Sequence, residues 1–345
     1  IKFLRQVKIL KPYKILVTGS HGFIGFHLSK RLLELKYDVV GIDSLNNYYD
    51  VKLKEDRGKI LLSYSNYKFL KQDISEDNFI NILSKLNPNL IINLAAQAGV
   101  RHSITNPEDY VKNNITGFLN ILEYSKNAKN LDRLVYASTS SVYGGNEKSP
   151  FSEKDSVDHP LQFYAVTKRT NELMAHSYSS LFNIETVGLR FFTVYGPWGR
   201  PDMALFKFTE NILNDRPIEV YNHGKHIRDF TYVDDIVDGI VLASTNNSPP
   251  SSKMKLPDSS SAPFHLYNIG GDDPVNLEMF IEEIEKNLNK KAEKIYLPLQ
   301  KGDVESTKSD VSKLREHFGY NPKTSVKKGI KKFIDWYIKY YDIDI

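Results

Sequence analysis

Tyr164 and Lys168 stand four residues apart in the stretch Tyr164-Ala-Val-Thr-Lys168. On a helix that spacing puts a phenol and an amine on one face. An ammonium near a phenol favours the phenolate and lowers the pKa of the Tyr. A phenol tuned in this way is a usable general base. Taken alone, the pair is in most cases an exposed Tyr and a solvated Lys, since helices hold many such pairs by chance, so the rest of the chain has to decide.

A second constellation lies near the start. Gly19-Ser-His-Gly22-Phe-Ile-Gly25 follows a short β-branched run at 14–18. Gly19 permits a tight turn, Gly22 lets backbone approach a pyrophosphate, and Gly25 lets a helix pack on a strand. A helix start supplies free amide donors and a positive dipole end for phosphate. A second strand at 38–43 ends in Asp43, near the offset of about 20 residues at which an acid bonds a ribose 2′-hydroxyl. A carboxylate there repels a 2′-phosphate, which favours NAD over NADP. Asp73 stands where it can reach an adenine amino group, or serve as a turn acid.

These residues need a frame, and the pattern supplies one. Strands at 14–18, 38–43, 67–70, 90–94, 133–137 and 185–192 alternate with helices at 27–35, 77–86, 110–125 and 163–181. Such alternation predicts an α/β fold with a parallel, doubly wound sheet of six or seven strands. The helix at 110–125 is expected to bury Val111, Ile115, Phe118, Leu119 and Leu122. After residue 193 the pattern loosens into helices at 203–213, 234–244, 277–288 and 326–338, with short strands at 218–221, 228–232 and 266–269. The expected division is a Rossmann domain at 14–192 with a returning segment near 233–245. A smaller lobe takes 193–232 and 262–325, and a C-terminal helical segment takes 326–345. The Lys-rich side of that last helix reads as a solvated face.

Bulk properties exclude several classes. The 345 residues suffice for one large domain or two unequal lobes. A net charge of +4, with the charges interspersed, gives no footprint for nucleic acid. No apolar run approaches the ~18 residues that span a bilayer, so no membrane partner is expected. There is no Cys, which removes disulfide and thiolate chemistry and fits a reducing, cytoplasmic compartment. The segment Ile1-Lys-Phe-Leu-Arg-Gln6 has neither an initiator Met nor an apolar signal core. The nine His form no metal-ligand spacing, so no metal is expected. Asn114-Ile-Thr116 matches a glycosylation acceptor but lies in a predicted helix and reads as structural.

The motifs Thr18–Gly25, Asn93-Leu-Ala-Ala96, Ser138–Gly144, Tyr164-x-x-x-Lys168 and Leu189-Arg-Phe-Phe192 occur in the order found in the extended short-chain dehydrogenase/reductase family, which this chain resembles over nearly its whole length. The resemblance implies bound NAD, a UDP-sugar substrate and a homodimer built on the helices at 110–125 and 163–181. It implies Tyr164 as acid/base, Lys168 on the nicotinamide ribose and Thr139 on the reacting hydroxyl, with Ser140 beside the sugar. It further implies cofactor contacts from Phe23, Ile24, Asn46, Ile74, Ala95, Ala96, Gln97 and Asn113. Dehydratases and decarboxylases of the family carry an acid where Ser141 stands here, which favours epimerisation; Glu153 and Asp155 are nearby acids expected at the surface. The stretches 96–103, 164–179, 190–206 and 220–235 are similar to those of the UDP-glucuronate 4-epimerases. That likeness implies a carboxylate partner, with the planar guanidinium of Arg200 forming a bidentate pair beside Thr193. Arg101 is a further candidate, and Arg228 is implied for the diphosphate. Epimerases of neutral or N-acetylated UDP-hexoses, decarboxylases, dehydratases and a non-catalytic dinucleotide sensor remain open. Two departures stand out: Lys301 replaces a Pro in Gln300-Lys-Gly-Asp303, and His21, inside the glycine turn, is expected to point outward.

Overall fold

The structure is a computed structural model describing residues 13–344. The N-terminal hexapeptide lies outside the described residues. The first half of the chain alternates strand and helix: β1 (Lys14–Thr18), α1 (Phe23–Glu34), β2 (Asp38–Asp43), α2 (Val51–Leu62), β3 (Tyr67–Lys71), α3 (Phe79–Leu86) and β4 (Leu90–Asn93). Two single turns, α4 (His102–Thr105) and α5 (Pro107–Tyr110), lead through a π-helical stretch at Val111–Thr116 into α6 (Gly117–Ser125). Then come β5 (Arg133–Thr139), α7 (Phe163–Phe182) and β6 (Thr186–Phe191). The remainder comprises β7 (Thr193–Tyr195), α8 (Ala204–Leu213), β8 (Ile218–Val220), β9 (Ile227–Arg228), β10 (Phe230–Tyr232), α9 (Val233–Thr245) and β11 (Phe264–Ile269). It ends with β12 (Val275–Asn276), α10 (Leu277–Leu288), β13 (Lys294–Tyr296), α11 (Ser312–Phe318) and α12 (Val326–Tyr341).

Seven strands form one sheet in the order β11-β6-β5-β4-β1-β2-β3, and every neighbouring pair is parallel. Alternate residues of β1 face opposite sides, as the pleat requires. Ile15 and Val17 join a core shared with α1 and α9, and Leu16 joins one shared with α3 and α6. The chain reverses its direction of travel across the sheet between β1 and β4. The crevice beyond their carboxyl ends is therefore where a ligand is expected.

Several expectations need correction. Residues 264–269, assigned above to the smaller lobe, are β11, the edge strand of the large sheet. The strand at 228–232 is divided at Asp229, whose buried carboxylate accepts bonds from Gly271 and Ser309. The helix at 110–125 is a short α-turn, a π-segment and a nine-residue helix, and Val111 and Leu119 are exposed instead of buried. Helix α2 has no counterpart in the pattern reading. Helix α12 buries Ile330, Phe333, Ile334 and Tyr337, while its Lys331 and Lys332 lie near Asp335 and Asp234. No helix among the described residues is long and apolar enough to cross a membrane.

Candidate active site

The glycine turn is closed to side chains. Gly19 has a φ of +68°, and a Cβ there would stand 2.9 Å from the Ala95 nitrogen. A Cβ on Gly25 would stand 2.0 Å from the Gly19 oxygen. Gly22 caps α1 without any side-chain acceptor for the first helical amides, which leaves Phe23 and Ile24 at an open anion-binding end. Asp43, at the end of β2, is fixed by two backbone donors: His21 N at 3.1 Å and Leu45 N at 2.9 Å.

His21 does not point outward. It is 3% exposed, stacks on Phe69 with 4.1 Å between ring centres, and packs over Gly58. Burial lowers its pKa to about 4. The room for it comes from α2, the helix absent from the pattern reading.

Thr139 ends β5, and Tyr164 and Lys168 lie on the first turns of α7. Burial raises the Tyr164 phenol; the Arg200 guanidinium and a hydrogen bond with Thr139 oppose that rise. The i,i+4 spacing predicts Lys168 as the cation that lowers Tyr164; the Arg200 guanidinium acts in the same direction. Lys168 is itself 2% exposed and burial brings its pKa down to about 8, while Glu172, one turn further along α7, favours its charged form.

A buried polar network underlies this face. Both oxygens of Glu172 are held by Arg190, at 2.8 and 2.9 Å, and one also accepts from Ser138 at 2.6 Å. Burial would raise the Glu172 carboxyl, but Arg190 and Ser138 hold it below its usual range. Arg190 continues to the Tyr143 hydroxyl, which donates to Asn268. The network locks α7 against β5, β6 and β11. Glu153 belongs to the same interior. It is 3% exposed, contrary to the surface placement expected of it, and accepts from Asn268 N at 2.8 Å. Asp155 binds Lys148 and Ser152 N. Thr139 donates to Ser141, where an eliminating enzyme would need an acid.

Every candidate named from the sequence lines one cavity of about 900 Å³. The catalytic trio, the glycine turn, Asp43, Asn46, Asp73, Ile74, Ala95, Ala96, Gln97, Asn113, Ser140, Thr193, Arg101, Arg200 and Arg228 all meet there. Asp73 is partly engaged: it accepts from Ser75 N and Oγ and lies 3.3 Å from Lys112. Arg228 donates to Asp303, Val304 and Glu305, so it anchors the 303–305 segment. Arg101 lies over the Tyr221 ring at 4.8 Å. Arg200 is already paired: Nε and Nη2 donate to Asp202, and Nη2 donates also to the Ala98 carbonyl. Its fork is thus occupied, and Nη1 is the edge without a protein acceptor among the described residues. A carboxylate approaching this guanidinium would therefore have Nη1 to meet.

Tyr48, Tyr49, Lys54 and Asp202 also line the cavity and were not singled out from the sequence. The available signal was Lys54 and Arg57 set beside Leu53 and Leu61 in one helix-length stretch, charges on a stripe that is otherwise apolar. Lys54 is 4% exposed, bonds Asn46 twice, and burial brings its pKa to about 8.

The residues present fit a dinucleotide. The glycine cradle admits backbone approach, Asp43 is oriented at the strand end, and the buried Gln97 amide nitrogen lines the cavity without a partner.

Comparison with known proteins agrees with this geometry. Protein CapI of Staphylococcus aureus is 51% identical over 95% of this chain and 99% of its own length. The probable UDP-glucuronate 4-epimerase of Rhizobium meliloti is 46% identical over 95% of this chain and 98% of its own. The crystal structure of UDP-glucuronic acid 4-epimerase from Bacillus cereus, in complex with UDP-glucuronic acid and NAD, superposes with a TM-score of 0.85 at 35% identity, covering 95% of this chain and 100% of that one. The stretch 15–270, from β1 through β11, matches the NAD dependent epimerase/dehydratase family, and the chain belongs to that family.

Proposed function

We propose that this protein is an NAD-dependent 4-epimerase that interconverts UDP-glucuronate and UDP-galacturonate. The observation that carries the reading is the meeting of Tyr164, Thr139 and Arg200 in the cavity that also holds the glycine turn, with Ser141 where elimination needs an acid. The relatives named for UDP-glucuronate epimerisation support the same choice.

The chain's own residues divide the work. Gly19, Gly22 and the start of α1 would hold the cofactor pyrophosphate, Asp43 the adenosine ribose, and Lys168 the nicotinamide ribose. When bound, NAD accepts the C4 hydride and returns it to the opposite face of the sugar. Tyr164 takes the C4 hydroxyl proton and gives it back to the same oxygen, so the site needs no further proton source. Thr139, at the end of β5 beside the phenol, would orient that hydroxyl. Arg228, while holding the 303–305 segment, would set its positive charge beside the diphosphate, and Arg200 Nη1 would meet the uronate carboxylate. Holding the two ends leaves the 4-keto ring free to turn between them.

Two finer readings belong to the same proposal. The substrate lobe is built by 193–232 and the residues following β11, and β11 itself belongs to the NAD-binding sheet. The active unit is a homodimer. Val111 and Leu119 with Val166 and Leu173 leave a paired apolar surface exposed on the π-segment, α6 and α7, and a second copy of the chain would cover it. Sedimentation equilibrium at micromolar concentration tests that; a monomer contradicts it.

Incubation with UDP-glucuronate, followed by chromatographic separation of the products, tests the activity. UDP-galacturonate without released CO2 is expected. Product from UDP-glucose but none from UDP-glucuronate overturns the assignment.

A further inference from the structure

Arg57 is completely buried in α2, between Leu53 and Leu61 on the inner face of that helix. Its hydrogen-bond partners among the described residues are all neutral. Nη1 donates to the His21 carbonyl at 2.9 Å and the Tyr49 hydroxyl at 2.7 Å. Nη2 donates to the Trp198 carbonyl at 2.6 Å and the Gly199 carbonyl at 3.4 Å. A buried cation is expensive to keep, and here Nε has no partner among the described residues, so the bonds from Nη1 and Nη2 alone specify its place.

The two ends it joins are the two ends of the site. His21 lies inside the glycine turn and its amide donates to Asp43. Trp198 and Gly199 immediately precede Arg200. One planar fork therefore spans the cofactor turn and the loop that presents the guanidinium to the sugar. That loop is held against its own preferences: Trp198 has a φ of +59°, a left-handed conformation unusual for a bulky residue. Its other restraints are His27, 2.8 Å from the Pro197 carbonyl, and the rings of Phe26, Trp336 and Tyr340 at 5.5, 5.3 and 4.9 Å. Among these restraints Arg57 is the one that bonds both the glycine turn and the loop.

We infer that Arg57 is a positioning residue that sets Arg200 by tying its loop to the cofactor turn, so that preference for a carboxylate-bearing sugar depends on it. This rests on the uronate reading of Arg200 given above. Lysine at position 57 keeps the charge but loses the planar fork, so it cannot reproduce the four bonds that Nη1 and Nη2 divide between the two ends.

The test is calorimetric binding of UDP-glucuronate and UDP-glucose to the NAD-loaded protein, as wild type and as Arg57→Lys. Arg57→Gln, which buries no charge, is measured alongside because the lysine variant can lose stability. NAD content is read from the cofactor released on denaturation. The expected result is affinity for UDP-glucuronate at least tenfold weaker in both variants, affinity for UDP-glucose within twofold of wild type, and NAD content retained. Equal weakening for the two sugars, or no weakening, overturns the role of Arg57. Wild-type protein that binds the two sugars alike overturns the uronate reading, and this role falls with it.

Discussion

Asp202 lies along the Nε–Nη2 edge of Arg200, with N–O separations of 2.9 and 2.5 Å. The pair pre-sets a guanidinium whose remaining edge faces the cavity. A charged hydrogen bond contributes about 1.5–3 kcal/mol, which corresponds to roughly 10- to 150-fold in affinity. Arg200→Met is therefore expected to raise KM for UDP-glucuronate by about that range while affecting UDP-glucose much less. Steady-state kinetics on both sugars decides this, and equal losses would remove Arg200 from carboxylate recognition.

The same guanidinium acts on the base. Burial raises the Tyr164 phenol and the Arg200 charge opposes it. Removing that charge disfavours the phenolate, so the Tyr164 pKa rises further. The limb of kcat/KM that climbs with pH should move to higher pH in Arg200→Met. A profile that keeps its position would show that another group supplies the field.

Tyr164→Phe deletes the proton acceptor and little else. General acid–base groups contribute about 10²–10⁴-fold, so kcat should fall by about that factor. Binding of UDP-glucuronate, followed by calorimetry, should stay within a few-fold of wild type. A variant with near-normal turnover would mean that the proton leaves by another route.

Glu172 and Arg190 form an ion pair with both side chains fully buried. Removing one partner of such a pair strands the other charge and costs about 3–5 kcal/mol. Glu172→Gln should lower the free energy of urea unfolding by about that amount. A shift under 1 kcal/mol would mean that Arg190 finds other acceptors.

Three histidines make stability depend on pH. Burial lowers His21, His27 and His265 to about 4, against 6.5 for the free side chain. The unfolded chain therefore binds more protons between those values, and stability rises with pH there. Stability is fully present above pH 6.5 and is lost as the pH falls from 6.5 towards 4, at up to about 1.4 kcal/mol per pH unit for each His. Urea midpoints at pH 7.5 and 5 measure this. Equal midpoints would contradict neutral burial.

What could be read from the sequence was what short-range pattern encodes. The β-branched runs, the glycine turn and the Tyr–Lys pair each act within a few residues, and the cavity contains every residue they nominated. What escaped reading depends on partners far along the chain. His21 looks like a surface residue until Gly58 and Phe69 close over it. Arg57 has acceptors in two separate loops, and Asp202 acquires meaning only from the position of Arg200. Helix α2 was hidden because its charged residues, Lys54 and Arg57, face inward and spoil the amphipathic period. The edge strand β11 follows a long irregular stretch, so nothing local shows that it rejoins the large sheet.

The chain has two tryptophans, Trp198 and Trp336, and they touch each other where the Arg200 loop meets α12. All of the protein's indole emission therefore originates at one contact, beside the sugar end of the cavity. Ultraviolet fluorescence is thus a label-free gauge of whether that loop is seated, readable in a stopped-flow cell as ligand enters and leaves.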